Sequence, residues 1–222
     1  MKKYVIIVAA GSGSRMKSAI PKQFIELHGK PVLMHTIQKF SDTIPDATII
    51  VVIAKEYEQG WKALCSQHAF SISHQLTLGG ATRYESVKNG LELVPDAGVV
   101  GIHDAARPLV SSETILKVFE EAEVMGNASP AVPLSDSIRR VKGNENIAVD
   151  RNQYSVIQTP QCFHSRLIKK AFLKPYQAEF TDDATVLEAF GEKIHLIEGN
   201  RENIKITTAQ DLIIANALLS KQ

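Results

Sequence analysis

Apolar residues along the chain gather into short unbroken runs separated by longer amphipathic stretches. The runs are "YVIIVAA" (4–10), "TIIVVIA" (48–54), "GVVGIHD" (98–104) and "ASPAVPL" (128–134), with a weaker one at "KIHLIEG" (193–199). Runs of this length without polar alternation read as strands buried on both faces. The stretches between them read as helices. "PVLMHTIQKF" (31–40) opens on Pro31, whose missing N–H costs nothing in a first turn. "TRYESVKNGLELV" (82–94) starts with Thr82, a capping residue. "SSETILKVFEEAEVMG" (111–126) has a serine cap, Glu113 in its first turn and Gly126 as a stop. Strands alternating with helices predict an α/β fold, a mostly parallel twisted sheet flanked by helices. Ligands in such folds bind at the carboxyl ends of the strands.

One segment breaks the rhythm. "SDSIRRVKGNENIAVDRNQYSVIQTPQ" (135–161) carries no helical stripe. It reads as short strands, "SIRRV", "IAVD" and "YSVIQT", with a turn at Gly143-Asn144. A small excursion of this kind cannot bury a core alone, so it must pack on the body or on another subunit. Repeats, low-complexity tracts and long linkers are lacking. The expected organisation is one domain, 1–222, with a β-arm inserted at 135–161.

Composition narrows the function classes. The 222 residues are 44% hydrophobic and 22% charged, enough for a sizeable globular core. With 25 basic and 24 acidic residues the net charge is +1, which argues against a general nucleic-acid or membrane-surface binder. No stretch approaches the ~20 apolar residues of a membrane span. The run after Lys2-Lys3 breaks into Gly and Arg too soon for a signal peptide. Cys65 and Cys162 lack metal or redox spacing and read as unpaired thiols, as in the cytoplasm.

The candidate chemistry begins at "VIIVAAGSGSRMKSAIPKQF" (5–24), a buried strand that ends in a glycine-serine loop. Such a loop turns its N–H groups toward an anion. A dinucleotide fingerprint fails, because position 16 is Met and the acidic residue expected about 20 positions onward is missing. An ATP-type phosphate loop fails because Ser14 stands where Lys should follow the last Gly. What remains is "AAGSGSRM…PKQF", whose Arg15 and Lys22 suit a third kind of nucleotide site. Nucleotidyl transfer builds charge on the α-phosphate and the departing pyrophosphate, and preorganised cations stabilise it.

Three further motifs carry polar groups. "GGATRYESV" (79–87) lets the backbone approach a flat base and presents Ser86; the role of Arg83 stays open. In "HDAARP" (103–108), Asp104 ends a strand and suits a metal carried by a triphosphate, or a ribose hydroxyl. Arg107 can pair with Asp104 or reach a phosphate, and His103 reads as packed or orienting. "FTDDATVLEAFG" (180–191) starts a helix with Thr181 as candidate cap and two acids in its first turn.

Taken in order with "DRN…QTPQ" and "ENIKITTAQDL", these motifs make essentially the whole chain resemble the 2-C-methyl-D-erythritol 4-phosphate cytidylyltransferase family of the non-mevalonate isoprenoid pathway. The resemblance implies a Rossmann-like nucleotidyltransferase fold, CTP and a polyol phosphate as substrates, Mg²⁺ bound with CTP, and a homodimer formed through the β-arm. It implies that Arg15 and Lys22 are catalytic. Nucleotide contacts would come from Ala9, Ala10, Gly11, Ser12, Gly13, Gly80, Ala81, Ser86, Asp104 and Ala105, with Asp104 also on the metal. Arg107, Thr159, Thr181, Glu202 and Lys205 would hold the acceptor, completed by Ser137 and Arg151 from the partner subunit. The family commonly has Thr at the position of Ser137, and the hydroxyl is kept. Two rivals remain. Ribitol-5-phosphate cytidylyltransferases typically read "AGG" and "HDAVRP" where this chain reads "AAG" and "HDAARP". A non-catalytic nucleotide-binding module would be signalled by loss of Arg15, Lys22 or Asp104, and all three are present.

Overall fold

The apolar runs form the centre of a sheet in the computed structural model, which describes residues 1–11 and 20–220. In chain order the elements are β1 (Lys3–Ala9), β2 (Glu26–Leu27), β3 (Lys30–Pro31), α1 (Val32–Thr43), β4 (Thr48–Ile53), α2 (Glu58–Gln67), β5 (Gln75–Leu78), α3 (Arg83–Glu92) and β6 (Val99–Asp104). They continue with α4 (Ser112–Met125), β7 (Asn127–Pro133), β8 (Ile138–Lys142), β9 (Glu145–Val149), β10 (Ser155–Ile157), β11 (Gln161–His164), α5 (Ser165–Ala171), α6 (Asp183–Ala189), β12 (Leu196–Glu198) and α7 (Ala209–Leu219).

The main sheet runs β10-β7-β11-β6-β1-β4-β5, with β12 also paired to β7. Pairings β6–β1, β1–β4, β4–β5 and β12–β7 are parallel, whereas β11 runs antiparallel to both β6 and β7. Strand alternation divides the core between the two faces of the sheet. Val5, Ile7, Ile49, Val51 and Ile53 pack with Leu33, Ile37, Phe119 and Trp61 on one face. Tyr4, Ile6, Ile50 and Val52 pack with Val87, Leu91, Ile168 and Leu187 on the other. All nine strand residues are buried, which is why these runs show no polar alternation.

The helix ends follow the sequence signals at Thr82, Ser111 and Gly126, with Ser111 Oγ accepting from the Thr114 N–H at 3.0 Å. Thr82 accepts from the Glu85 N–H at 3.1 Å, and Glu85 returns a bond to the Thr82 N–H, a capping box. Gly126 ends α4 at φ +86°, a left-handed conformation that a side chain disfavours. The start of α6 differs. Thr181 does not cap α6; Asp182 does, accepting from the Thr185 N–H at 2.9 Å. Asp182 wins because its carboxylate also suits the positive end of the helix.

The stretch expected as one arm divides in two. β8 and β9 pair only with each other, turning at Gly143 with φ +58°. β10 instead joins the main sheet beside β7. The apolar Val141 and Ile147 of the β8–β9 hairpin are exposed. No described helix is long and apolar enough to cross a membrane. Cys65 and Cys162 are unpaired.

Candidate active site

The chain passes outward through β1, β4 and β5, then returns to β6 on the other side of β1. That reversal opens a crevice beyond the carboxyl ends of β1 and β6, where open α/β sheets bind ligands. A cleft of about 440 Å³ lies there. Ala9, Ala10 and Gly11 line it at the end of β1, and Asp104 and Ala105 at the end of β6. Gly80, Ala81 and Ser86 line it beyond β5, and Lys22 and Lys205 add two cations.

The two loops meet closely. A Cβ built on Gly79 would lie 2.3 Å from Ala10 Cβ, so only glycine allows this approach. The 80–86 loop satisfies its own donors. The Gly80 N–H donates to Ser86 Oγ at 3.1 Å, and Ser86 Oγ donates to the Thr82 carbonyl at 2.9 Å. The Ala81 N–H donates to Glu85 Oε2 at 2.6 Å. The Gly80, Ala81 and Thr82 amides are thereby engaged within the loop.

Asp104 lies among three cations. Lys205 Nζ is 2.8 Å and Arg107 Nε 3.3 Å from its Oδ2, and Arg83 Nε is 3.5 Å from its Oδ1. Burial alone would raise the Asp104 pKa, but Arg83, Lys205 and Arg107 outweigh it and hold the carboxyl well below the usual range. The group is an anion at any physiological pH. Among the described residues no three His, Cys, Asp or Glu side chains form a metal cage. A cation that brings its own phosphate and water ligands, and needs one protein carboxylate, suits Asp104.

Behind Asp104 stands a neutral histidine. Burial lowers the His103 pKa to about 4 against weaker opposing contributions. Its Nε2 lies 3.0 Å from the Arg107 carbonyl, which only accepts, so Nε2 carries the proton. Nδ1 then accepts from Thr159 Oγ1 at 3.0 Å, and Thr159 Oγ1 accepts from the Asp104 N–H at 3.1 Å. The Thr159 side chain is thereby occupied inside the protein. His103 is buried, with a hydrogen-bond partner at each ring nitrogen.

Other expected positions are not among the residues that line the cleft. Arg107 Nη1 donates to the Asn203 carbonyl at 2.8 Å. Thr181 and Glu202 are exposed. Ser137 and Arg151 are exposed beside the hairpin, where Arg151 donates to the Ser135 carbonyl. Ser12, Gly13 and Arg15 lie outside the described residues.

Gln23 and Arg83 are among the wall residues to which the sequence reading gave no role. Gln23 is buried and donates its side-chain amide to the Ala9 carbonyl at 2.7 Å and the Gly11 carbonyl at 3.1 Å, tying the Lys22 segment to the end of β1. Arg83 also lines the cleft and forks onto Asp183, with Nη1 2.9 Å from Oδ1 and Nη2 2.7 Å from Oδ2. Its position in "GGATRYESV" marked Arg83 for attention, but only the fold supplies its partner.

The profile of the 2-C-methyl-D-erythritol 4-phosphate cytidylyltransferase family matches residues 3–221. A relative of that name from Bacteroides fragilis is 47% identical over 99% of this chain and 100% of its own length. One from Porphyromonas gingivalis is 46% identical over 99% of this chain and 98% of its own. The crystal structure of the Thermus thermophilus protein of that name superposes with a TM-score of 0.82 at 31% identity, covering 99% of this chain and 100% of that one. The Francisella tularensis structure gives 0.81 at 33% identity, covering 98% and 99%.

Proposed function

Because the chain belongs to the 2-C-methyl-D-erythritol 4-phosphate cytidylyltransferase family, we propose an assignment of roles within its cleft. The enzyme transfers the cytidylyl group of CTP to 2-C-methyl-D-erythritol 4-phosphate, giving 4-diphosphocytidyl-2-C-methyl-D-erythritol and pyrophosphate. An oxygen of the acceptor phosphate forms a bond to the α-phosphorus of CTP. The bond from that phosphorus to the bridging oxygen breaks, and pyrophosphate leaves with the electron pair. A phosphate monoester dianion already carries its nucleophilic oxygen, so the protein positions the reactants and stabilises charge.

Lys22, with Arg15, holds the α-phosphate and the leaving group. Ala9 to Gly13 carry the triphosphate and ribose, with Ala105. Gly80, Ala81 and Ser86 hold the base. Their engaged amides support cytosine over uracil, since loop carbonyls accept from an amino group and repel a carbonyl. Lys205, Arg107, Thr181 and Glu202 face the acceptor, with Thr159 supporting this side. Asp104 would hold Mg²⁺ together with CTP, and the metal would supply neutralisation of phosphate charge.

The chain acts as one nucleotidyltransferase domain whose β8–β9 hairpin, within the expected arm at 135–161, joins a homodimer, with Ser137 and Arg151 at its two ends offered to the partner's site. Exposed Val141 and Ile147, on a hairpin that pairs with no other described strand, favour that reading. Two unpaired cysteines suit a cytoplasmic enzyme.

The observation that carries the assignment is the convergence of Lys22, Asp104 and Lys205, from three separate parts of the chain, on one cleft. Pyrophosphate release with CTP and Mg²⁺ tests it, with 2-C-methyl-D-erythritol 4-phosphate and ribitol 5-phosphate run in parallel. Turnover of the first alone is expected. Preference for ribitol 5-phosphate would overturn the acceptor, and CTP binding without any turnover would leave only a binding module.

A further inference from the structure

We propose that Arg83 is a positioning residue that fixes the acceptor side of the cleft relative to the nucleotide side. The inference rests on the assignment above, which puts the base beside the 80–86 loop and the acceptor near Thr181. Arg83 and Tyr84 stand in the first turn of α3, which the cap Thr82 joins to Gly80 and Ala81. Both reach across to the segment that carries Thr181.

The Arg83 guanidinium makes its two-pronged bond to Asp183, a side chain only 1% exposed. Such a fork sets orientation as well as distance. The same guanidinium lies 3.5 Å from Asp104. It therefore stands between the strand-end carboxylate of the nucleotide site and the first turn of α6. Burial would lower its pKa, but Asp183 and Asp104 raise it, so it stays charged.

Tyr84 supplies a second tether from the same turn. Its hydroxyl lies 2.9 Å from the Phe172 carbonyl and 2.5 Å from the Lys174 carbonyl. Its ring stacks on Phe172 with centroids 4.7 Å apart and on Phe180 at 5.9 Å. Below, Gln161 donates to Asp182 Oδ2 at 2.8 Å and accepts from the Ala184 N–H at 2.9 Å. Residues 180–184 are thus fixed from α3 and from β11, and exposed Thr181 sits within them. Loosening the α3 tether shifts Thr181 while the 80–86 loop keeps its own capping box.

The test uses the full-length protein with Arg83→Lys, Tyr84→Phe and the double variant Arg83→Leu with Asp183→Leu. Lysine keeps the charge but cannot fork. Pyrophosphate release is measured with each substrate varied, and CTP affinity by calorimetry without acceptor. For Arg83→Lys the expected result is a KM for the acceptor raised about tenfold and kcat lowered by up to about 10²-fold, the scale of a small misplacement. CTP affinity should stay within about threefold. Tyr84→Phe should shift the acceptor KM in the same direction. Hydrogen exchange at 181–185 should quicken in the double variant while α4 is unchanged, a readout that does not depend on which acceptor the enzyme uses. Wild-type acceptor KM and kcat in Arg83→Lys would overturn the proposal, as would unchanged exchange at 181–185. A loss confined to CTP affinity would make Arg83 a nucleotide ligand instead. Failure of the wild-type enzyme to turn over 2-C-methyl-D-erythritol 4-phosphate would overturn the functional reading, and the exchange result would still judge the tether.

Discussion

Lys205 Nζ lies 2.8 Å from Asp104 Oδ2, joining the segment before α7 to the end of β6 across the cleft. The pair is unequal: the Lys205 side chain is 36% exposed and that of Asp104 11%. Removing the lysine leaves Asp104 with Arg83 and Arg107 as partners, so its charge stays compensated. Lys205→Met is expected to lower kcat/KM by about 10²-fold or more, the usual effect of losing one preorganised charge. Thermal unfolding should shift little, because a partly exposed ion pair adds at most about 1 kcal/mol. Steady-state kinetics and a melting curve on the same sample check both.

Lys22→Ala should lower kcat far more than it raises KM. Charge grows on the α-phosphate and pyrophosphate during transfer, and a cation placed there acts on the transition state. A change in KM alone would make Lys22 a ground-state ligand.

Gln23→Leu removes two donors from the Ala9 and Gly11 carbonyls while filling a similar volume. The Ala9 carbonyl is the buried one, and a buried carbonyl left without a donor costs about 1–3 kcal/mol. The expected outcome is a lower melting temperature together with reduced turnover, since the lost bonds also seat the neighbouring Lys22. A melting curve beside the kinetic assay separates the two effects.

His103 makes stability depend on pH. Its folded pKa of about 4 lies below the ordinary value of 6.5. Between those values the unfolded chain binds the extra proton and the folded chain does not. Stability therefore rises from pH 4 to 6.5 and is lost as pH falls through that window, by about 3 kcal/mol for this group. Asp104 adds its own loss only at lower pH, as its carboxyl protonates. Urea midpoints across that window should follow this slope, and His103→Gln should flatten it.

Chelation separates metal chemistry from folding. With no carboxylate, histidine or cysteine cage among the described residues, removing divalent metal should stop pyrophosphate release and leave the melting temperature unchanged. Added Mg²⁺ should restore turnover.

The central strands were legible because β1, β4 and β6 are buried on both faces and so read as unbroken apolar runs. β5, with mostly half-buried or exposed side chains, lacks that signal. β11 inserts antiparallel between β6 and β7, an order no local pattern encodes. Among site residues, motif chemistry singled out Lys22 and Asp104, and both line the cleft. The partner of Arg83 was not, because Asp183 lies 100 residues away and looks like an ordinary first-turn acid. Thr181 was mistaken for a cap because its neighbour Asp182 offers the same kind of oxygen one position later.

The contact between Gly79 and Ala10 couples two distant positions sterically. A side chain added at 79 has to displace Ala10, so neither site can drift freely while the other stays fixed. A library that randomises each position alone should return almost only the residues found here. One that randomises both together should recover compensated pairs, with a smaller residue at 10 accompanying any gain at 79.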